Sequence, residues 1–214
     1  MRQKYFSKRL LPAVTIHDPK LALQLAETFL ESGLDVMEVT FRTNAAASAI
    51  SGITKTYPEM KIGAGTITSP DLLKQAVDAG AMFGLAPGFN ETIVKTARDH
   101  RFPFIPGVTT PSEIERALEF DCSLLKLFPV NNLGGAGYLK SLAGPYPKDK
   151  VGFIPMGGVN LTNLNQYLKF PGIIAMGGSW MTPNDMIENR QFHKISEIVR
   201  LSLDIVRQVE DHPE

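Results

Sequence analysis

The stretch LLPAVTIHDPKLALQLAETFLESGLDVMEVTF, residues Leu10–Phe41, sets the pattern on which the whole chain is built. It begins and ends with short apolar runs rich in branched residues, Leu10–Ile16 and Val36–Phe41, which are typical of buried strands. Between these runs, apolar residues recur at positions 21, 25, 29 and 30, which is helical spacing. A strand, a helix and a second strand in this order predict two parallel strands joined by a crossover helix.

Helix boundaries repeat the same unit farther along the chain. Four predicted helix starts combine a capping residue with a following proline; the pairs are Asp18-Pro19, Ser69-Pro70, Thr110-Pro111 and Thr182-Pro183. Gly33 and Gly80 stand where two of the helices should end. A last helix is predicted over Ile195–Val209, because its apolar residues share one face.

Further apolar runs continue the pattern at a spacing of roughly 20–28 residues, the length of a strand with its crossover helix. These runs are Lys61–Thr66, Phe83–Pro87, Phe104–Val108, Leu124–Pro129, Gly152–Met156 and Gly172–Met176. Eight strands that alternate with helices predict an α/β fold with one domain over residues 1–214, a (β/α)8 TIM barrel with short loops and a short helical segment at its N-terminus. The alternative is an open doubly wound sheet; the count of eight and the glycine-rich strand ends favour the barrel.

Charge and residue counts exclude several classes of function. Lys and Arg together number 22, as do Asp and Glu, so the chain lacks the basic excess that binding to nucleic acid or an anionic membrane requires. One cysteine, Cys122, excludes an internal disulfide and a cysteine-based metal cluster. His17, His100, His193 and His212 show no ligand spacing, so no metal site is predicted. With no membrane-length apolar run and no secretory signal, we expect a cytoplasmic protein.

The second predicted strand carries charges on one face. Glu38, Thr40 and Arg42 alternate with apolar residues that suit the helix layer, so we expect the polar set to point into the barrel. A carboxylate inside a barrel is costly unless it is paired or functional. The alternative to a functional Glu38 is an ion pair with Arg42 that stabilises the barrel mouth.

Lys126 stands alone among apolar residues in the sixth predicted strand, where it shares a face with Leu124 and Phe128. The inward direction is favoured, because the other face would bury an unpaired ammonium under the helices. Burial disfavours the charged form of an amine, and only the neutral amine attacks a ketone. The alternative is a lysine at a strand edge that extends its amine into solvent.

Small residues follow several strands and keep the mouth of the predicted barrel open. Two similar signatures, PMGGVN at 155–160 and AMGGSW at 175–180, stand at the seventh and eighth strands, where barrels commonly bind phosphate through backbone N–H groups. Ordinary tight turns are the alternative for both. Thr66 is expected on an inward face with Ile62 and Ala64, either to donate to a carboxylate or to cap the next helix.

Motifs along nearly the whole chain, from Leu10 to the last helix, resemble the 2-keto-3-deoxy-6-phosphogluconate (KDPG) aldolases, also described as 4-hydroxy-2-oxoglutarate aldolases. The motifs are EVTFRT at 38–43, GAGT at 63–66, PG at 87–88, IPG at 105–107, KLFP at 126–129, GG at 134–135, AGP at 143–145, PMGG at 155–158 and GGSW at 177–180. Each motif is weak alone, and the set in this order is specific.

The resemblance implies a class I aldolase, a lyase that splits a 2-keto-3-deoxy-6-phospho sugar acid into pyruvate and glyceraldehyde 3-phosphate. It implies that Lys126 forms the Schiff base and that Glu38 is the general acid and base. The remaining residues implied to bind substrate are Arg42 and Thr66 at the pyruvate carboxylate, Pro87, Phe128 and Met156, and Gly157, Gly158, Gly177, Gly178 and Ser179 at the phosphate. It further implies a homotrimer of the Entner–Doudoroff pathway that uses no metal or separate cofactor.

Met156 departs from the family pattern, in which threonine commonly precedes the first Gly-Gly. A thioether is larger than a hydroxyl group and cannot donate a hydrogen bond. The galactonate epimer or 4-hydroxy-2-oxoglutarate is therefore an alternative main substrate. A phosphate-binding barrel isomerase or epimerase would need a second inward acid besides Glu38. A catalytically silent binding protein is disfavoured by the presence of both Glu38 and Lys126.

Overall fold

Short parallel strands alternate with helices over residues 2–211, the part of the chain that the computed structural model describes. The strands are β1 (Leu10–Val14), β2 (Val36–Thr40), β3 (Lys61–Gly65), β4 (Phe83–Leu85), β5 (Phe104–Ile105), β6 (Gly107–Val108), β7 (Leu124–Leu127), β8 (Gly152–Pro155) and β9 (Met176–Gly178). His212 lies outside the described residues.

Helices follow most of the strands and cover the sheet. They are α1 (Arg2–Tyr5), α2 (Pro19–Glu31), α3 (Ala46–Thr56), α4 (Pro70–Asp78), α5 (Glu91–Asp99), α6 (Pro111–Glu119), α7 (Gly135–Ala143), α8 (Leu164–Leu168), α9 (Asn184–Glu188) and α10 (Phe192–Asp211). Among the last helix's buried residues, Ile195, Val199 and Val206 face the core as the apolar pattern predicted.

Strand pairing follows the chain order. One sheet has the order β5-β4-β3-β2-β1-β9 and the other has the order β6-β7-β8. Pro106, which has no N–H to donate, separates β5 from β6, and a parallel bridge between Phe153 and Ile173 connects β8 to the segment before β9. This arrangement confirms the predicted α/β fold with curled parallel strands, since a doubly wound sheet reverses its strand order.

Two predicted strands differ from the structure: the fifth, Phe104–Val108, is split into β5 and β6, and the eighth, which corresponds to β9, was misplaced. A strand was expected over Gly172–Met176, yet β9 covers Met176–Gly178, where Met176 pairs with Leu10 and Gly178 pairs with Pro12. Ile173 contributes only an isolated bridge. The prediction was wrong because the apolar run IIAM at 173–176 has the composition of a strand, whereas the register with β1 selects the glycines that follow it.

Three of the four predicted helix starts are confirmed. The side chains of Asp18 and Ser69 accept hydrogen bonds from backbone N–H groups, and Thr110 forms a reciprocal capping box with Glu113. The start at Thr182 is wrong, because its hydroxyl donates to the carbonyl oxygen of Ala13 at 2.9 Å and no side chain caps α9. Thr182 therefore ties the segment after β9 to β1.

Aromatic rings pack at the amino-terminal end of the strands. The ring of Phe83, the first residue of β4, lies 4.9 Å from that of Tyr5 and 5.4 Å from that of Phe6, between ring centroids. All three are buried. The opposite end of the strands is therefore the end at which side chains can meet a ligand.

Candidate active site

A cavity of about 250 Å³ lies at the carboxyl ends of the strands. It is lined by most of the residues that the sequence assigned to substrate or chemistry. These are Glu38, Arg42, Lys126, Phe128, Met156, Gly157, Gly158, Gly178 and Ser179. Side chains that are far apart in the sequence, from β2 to the segment after β9, are thus brought to one place.

Lys126 and Glu38 face each other at the base of this cavity. The Nζ atom of Lys126 lies 3.7 Å from Oε1 of Glu38, and the two side chains are 6% and 1% exposed. Neither carboxylate oxygen of Glu38 has a hydrogen-bond partner among the described residues. Buried polar groups without partners are rare, so this carboxylate is available for a ligand or a proton transfer.

The predicted directions of β2 and β7 agree with the structure. Glu38, Thr40 and Arg42 all line the cavity, and so do Lys126 and Phe128. Nζ of Lys126 also lies 5.3 Å from the centroid of the Phe128 ring, within cation–π distance. The alternation of side chains along each strand therefore placed both charged groups inside.

Arg42 is placed differently from the ion-pair alternative. It is exposed at the mouth of the cavity, and the carboxylate of Glu38 is paired with Lys126 instead. None of the ion pairs recorded within residues 2–211 includes Arg42. Its guanidinium group is consequently available for an anion at the mouth.

The predicted inward face of β3 was wrong. Gly63, not Ile62 or Ala64, pairs with Glu38 in register, and a Cβ atom built on Gly65 would lie 1.8 Å from Oε1 of Glu38. The glycines therefore face the interior, and Ile62 and Ala64 pack under the helices. The sequence misled because isoleucine and alanine resemble core residues, whereas glycine carries no hydrophobic signal.

Three predicted binding residues do not line the cavity: Thr66, Pro87 and Gly177. Thr66 follows β3 with a φ of 61°, a left-handed backbone that is unusual for a β-branched residue, so strand alternation does not determine its direction. Gly177 lies beneath Met156, since a Cβ on Gly177 would be 2.6 Å from the Cε atom of Met156. Met156 itself is buried and forms part of the wall.

The two Gly-Gly signatures adopt different structures. Gly157 and Gly158 follow β8 with φ values of 91° and 80°, which other residues rarely adopt. Gly177 and Gly178 belong to β9 itself. Only the first signature therefore lies in a loop after its strand, the position that the sequence predicted for both.

Sequence reasoning missed Ala13, Val159 and Trp180 in the cavity wall, and did not include Thr40 in the site. Spacing from Glu38 on β2 was a signal for Thr40, whose hydroxyl donates to the carbonyl oxygen of Val14 at 3.0 Å. The indole N–H of Trp180 donates to Oγ of Ser202 in α10 at 3.1 Å. That contact could not be predicted, because it joins the segment after β9 to the last helix, which is remote in the local pattern.

Outside the cavity, Cys122 and the side chains able to ligate a metal ion bear on other kinds of chemistry. Burial raises the pKa of the Cys122 thiol above its ordinary value, and nearby Asp121 raises it further while Arg98 opposes the shift. Within residues 2–211, no group of three or more His, Cys, Asp or Glu side chains could hold a metal ion. No helix in the same range is long and apolar enough to cross a membrane.

Comparisons with known proteins identify relatives over most of the chain. Residues 2–198 match the family described as Aldolase: KDPG and KHG aldolase. The chain is 41% identical over 198 residues to the 2-dehydro-3-deoxy-phosphogluconate aldolase of Treponema pallidum, covering 92% of this chain and 93% of that protein. It is 34% identical over 190 residues to the KHG/KDPG aldolase of Escherichia coli K12, covering 89% and 88%.

A solved structure resembles the whole fold. KDPG aldolase from Legionella pneumophila, crystallised with pyruvate captured as a covalent carbinolamine intermediate, superposes with a TM-score of 0.89 at 34% identity, covering 94% of this chain and 97% of that one. The KDPG aldolase of Zymomonas mobilis ZM4, with 3-phosphoglycerate, gives a TM-score of 0.85 at 32% identity, covering 96% and 97%.

Proposed function

The chain belongs to the KDPG and KHG aldolase family, and from this premise we propose that Lys126 and Glu38 perform the chemistry. The protein is a lyase, a class I aldolase that cleaves KDPG through a Schiff base. The observation that carries the residue assignment is the buried pair of Nζ of Lys126 and Oε1 of Glu38, 3.7 Å apart in the cavity.

Lys126 is the nucleophile of this proposal. Its neutral amine adds to the C2 ketone of the substrate, and the resulting carbinolamine loses water to form an iminium ion. The iminium draws electrons from the C3–C4 bond, so the lysine itself supplies the electron sink and no metal or separate cofactor is part of the mechanism. The position of Lys126 in the cavity lining, beside Glu38, supports this role.

Glu38 transfers the protons. Its carboxylate accepts the proton of the C4 hydroxyl group while the C3–C4 bond breaks, which releases glyceraldehyde 3-phosphate and leaves an enamine on Lys126. Glu38 then returns the proton to C3, and water hydrolyses the iminium to release pyruvate and the free amine. Both oxygens of Glu38 are free of hydrogen bonds from the described residues, as this double role requires.

Arg42 and Thr66 bind the carboxylate of the substrate in this proposal. Arg42 lines the mouth of the cavity above Glu38, where its planar guanidinium can donate two parallel hydrogen bonds. Thr66 directly follows Gly65, which lies beside the Glu38 carboxylate. Phe128 packs near the amine, and Pro87 is included on the family resemblance alone.

The phosphate group is assigned to the part of the cavity lining at the carboxyl ends of β8 and β9. Gly157, Gly158, Gly178 and Ser179 line it, and backbone N–H groups of such a turn can approach an anion closely. Gly177 contributes by leaving room for Met156, which lines the same cavity.

The gluconate-derived substrate is favoured over the alternatives. The galactonate epimer and 4-hydroxy-2-oxoglutarate remain side activities to measure, because Met156 lines the cavity where a threonine is common in the family. An isomerase or epimerase is not favoured, since Glu38 is the one carboxylate among the lining residues that the structure describes.

The physiological setting completes the proposal. We propose one domain over residues 1–214 and a homotrimeric, cytoplasmic enzyme of the Entner–Doudoroff pathway. The family resemblance supports these assignments, and a substrate with both a carboxylate and a phosphate does not leave the cytoplasm by diffusion through a membrane. Its partners are the phosphorylated keto acid and pyruvate; no nucleic acid and no membrane is included.

Borohydride reduction in the presence of pyruvate tests the proposal. Reduction should attach pyruvate covalently to Lys126, as peptide mass spectrometry can show, and should abolish KDPG cleavage. Lys126→Ala should show neither adduct nor cleavage, whereas Lys95→Ala, at an exposed lysine in α5, should behave as wild type. An adduct on another lysine, or an equal adduct in Lys126→Ala, would contradict the assignment.

A further inference from the structure

The interior positions of β3 are occupied by glycines, and side chains from both neighbouring strands lie over them. A Cβ atom built on Gly63 would be 2.3 Å from Cε2 of Phe83 in β4. A Cβ atom built on Gly65 would be 1.8 Å from Oε1, 2.5 Å from Cδ and 2.6 Å from Cγ of Glu38 in β2. The carboxylate end of Glu38 therefore occupies the volume that any side chain at position 65 would need.

Few other contacts hold this carboxylate. Neither oxygen of Glu38 has a hydrogen-bond partner among the described residues, and its one recorded ion-pair partner is Lys126. A buried carboxylate with no hydrogen bonds is oriented by the shape of its surroundings. The surface on which it rests is the bare backbone of Gly65.

We propose that Gly65 is a positioning residue for the reaction, because its missing side chain forms the recess that holds the Glu38 carboxylate beside Lys126. The inference rests on the proposed role of Glu38 as acid and base. It adds a requirement that the charged residues alone do not show: the strand beside Glu38 must carry no side chain at this position.

The size of the expected effect follows from contact distances. A methyl carbon needs about 3.5–4.0 Å from its neighbours, so an alanine at position 65 would displace the carboxylate by more than about 1 Å. Thr40 pairs with Gly65 in register, which holds the β3 backbone in place, so the flexible end of Glu38 should move instead. A displacement of about 1 Å of a catalytic group can cost roughly 10²-fold in rate.

Gly65→Ala should therefore impair proton transfer by Glu38 but leave Schiff-base formation by Lys126 intact. We expect kcat for KDPG cleavage to fall by roughly 10²-fold, and the exchange of pyruvate methyl hydrogens in D2O to slow comparably. Borohydride should still trap pyruvate on Lys126 when the reaction runs to completion. Gly63→Ala is the matched control: it displaces Phe83, so its melting temperature should fall while kcat stays within a few-fold of wild type.

A double-mutant cycle with Glu38→Ala decides whether Gly65 acts through Glu38. In the wild-type background the methyl group forces the buried carboxylate out of its recess, so Gly65→Ala should also lower the melting temperature. In the Glu38→Ala background the methyl group meets no carboxylate, so Gly65→Ala should lower neither the residual exchange rate nor the melting temperature further. The proposal would be overturned if Gly65→Ala reduced the exchange rate by the same factor in the wild-type and Glu38→Ala backgrounds. A Gly65→Ala enzyme with near-normal kcat would also overturn it. If Gly65→Ala does not fold, the double variant must fold like Glu38→Ala, and failure to do so also overturns it.

The two proposals can fail independently. Absence of a pyruvate adduct on Lys126 in the wild-type protein contradicts the proposed function. The melting temperatures of the cycle still measure whether Gly65 and Glu38 are coupled.

Discussion

Oε1 of Glu38 lies 3.7 Å from Nζ of Lys126, and both side chains are almost completely enclosed by the strands that carry them. The pair joins β2 to β7 across the interior, between residues that are remote in the sequence. Each charge is tolerated there because the other is present, since an isolated buried charge is strongly unfavourable. Removal of either member should therefore affect both stability and chemistry, and the two effects can be measured separately.

Glu38→Gln should retain Schiff-base formation on Lys126 and lose the proton transfers that follow it. The amide preserves the volume beside Gly65 but cannot accept the C4 hydroxyl proton, so kcat should fall by about 10²–10⁴-fold. Borohydride trapping of pyruvate on Lys126 should persist, and deuterium exchange into the pyruvate methyl group should be lost. Glu115→Gln, at an exposed position in α6, serves as control. Normal deuterium exchange in Glu38→Gln would exclude Glu38 as the proton carrier.

Arg42→Lys should weaken binding of the substrate carboxylate. Lysine keeps the charge but cannot form two parallel hydrogen bonds with a carboxylate, so KM should rise by roughly 10-fold with a smaller change in kcat. Steady-state kinetics with KDPG measure the effect. Arg98→Lys, whose guanidinium pairs with Asp121 on the surface, should leave both constants unchanged. An unchanged KM in Arg42→Lys would exclude the carboxylate contact.

Met156→Thr should change the preference between C4 epimers. The replacement removes volume above Gly177 and introduces a hydrogen-bond donor into the cavity wall, so the ratio of kcat/KM for gluconate- and galactonate-derived substrates should shift by about 10-fold or more. Parallel assays of the two substrates give this ratio. Met82→Thr, outside the cavity lining, should leave the ratio unaltered. Equal ratios for wild type and Met156→Thr would show that residue 156 does not discriminate the epimers.

Ser202→Ala should loosen the wall that Trp180 forms. The half-buried indole N–H would lose its acceptor, and the loss of such a hydrogen bond costs about 0.5–1.5 kcal/mol, which urea unfolding can detect. Trp180 is the only tryptophan in the chain, so its fluorescence reports the site directly. Ser202→Thr keeps the hydroxyl group and should restore the spectrum. Identical stability and emission in Ser202→Ala and wild type would argue against the contact.

Cys122 should be slow to alkylate in the native protein. Burial raises the pKa of its thiol, so less thiolate is present at any pH near 8 than an exposed cysteine would have, and the rate should rise only at higher pH. The same shift means that stability declines as pH rises past the pKa of the unfolded thiol, because the unfolded chain loses its proton first. Iodoacetamide labelling of native and urea-unfolded protein measures the difference, and equal rates would contradict it.

Much of the site could be predicted from local spacing, and the exceptions have a common cause. Alternation along β2 and β7 correctly placed Glu38 and Lys126 inside, because an unpaired charge is excluded from the layer between sheet and helices. The same reasoning failed in β3, where the interior face belongs to Gly63 and Gly65. Alternation identifies two faces but does not say which is inward when one face holds glycine.

Local sequence was sufficient to predict the strand–helix repeat and the helix caps at Asp18, Ser69 and Thr110, because these depend on residues close together in the chain. The register of β9 on β1 and the bond from Trp180 to α10 depend on contacts between distant parts of the chain, so they were known only from the folded molecule. The folded molecule also shows that Glu38 fills the space over Gly65. Glycine has no side chain, so its sequence position alone cannot indicate which neighbouring side chain packs against it.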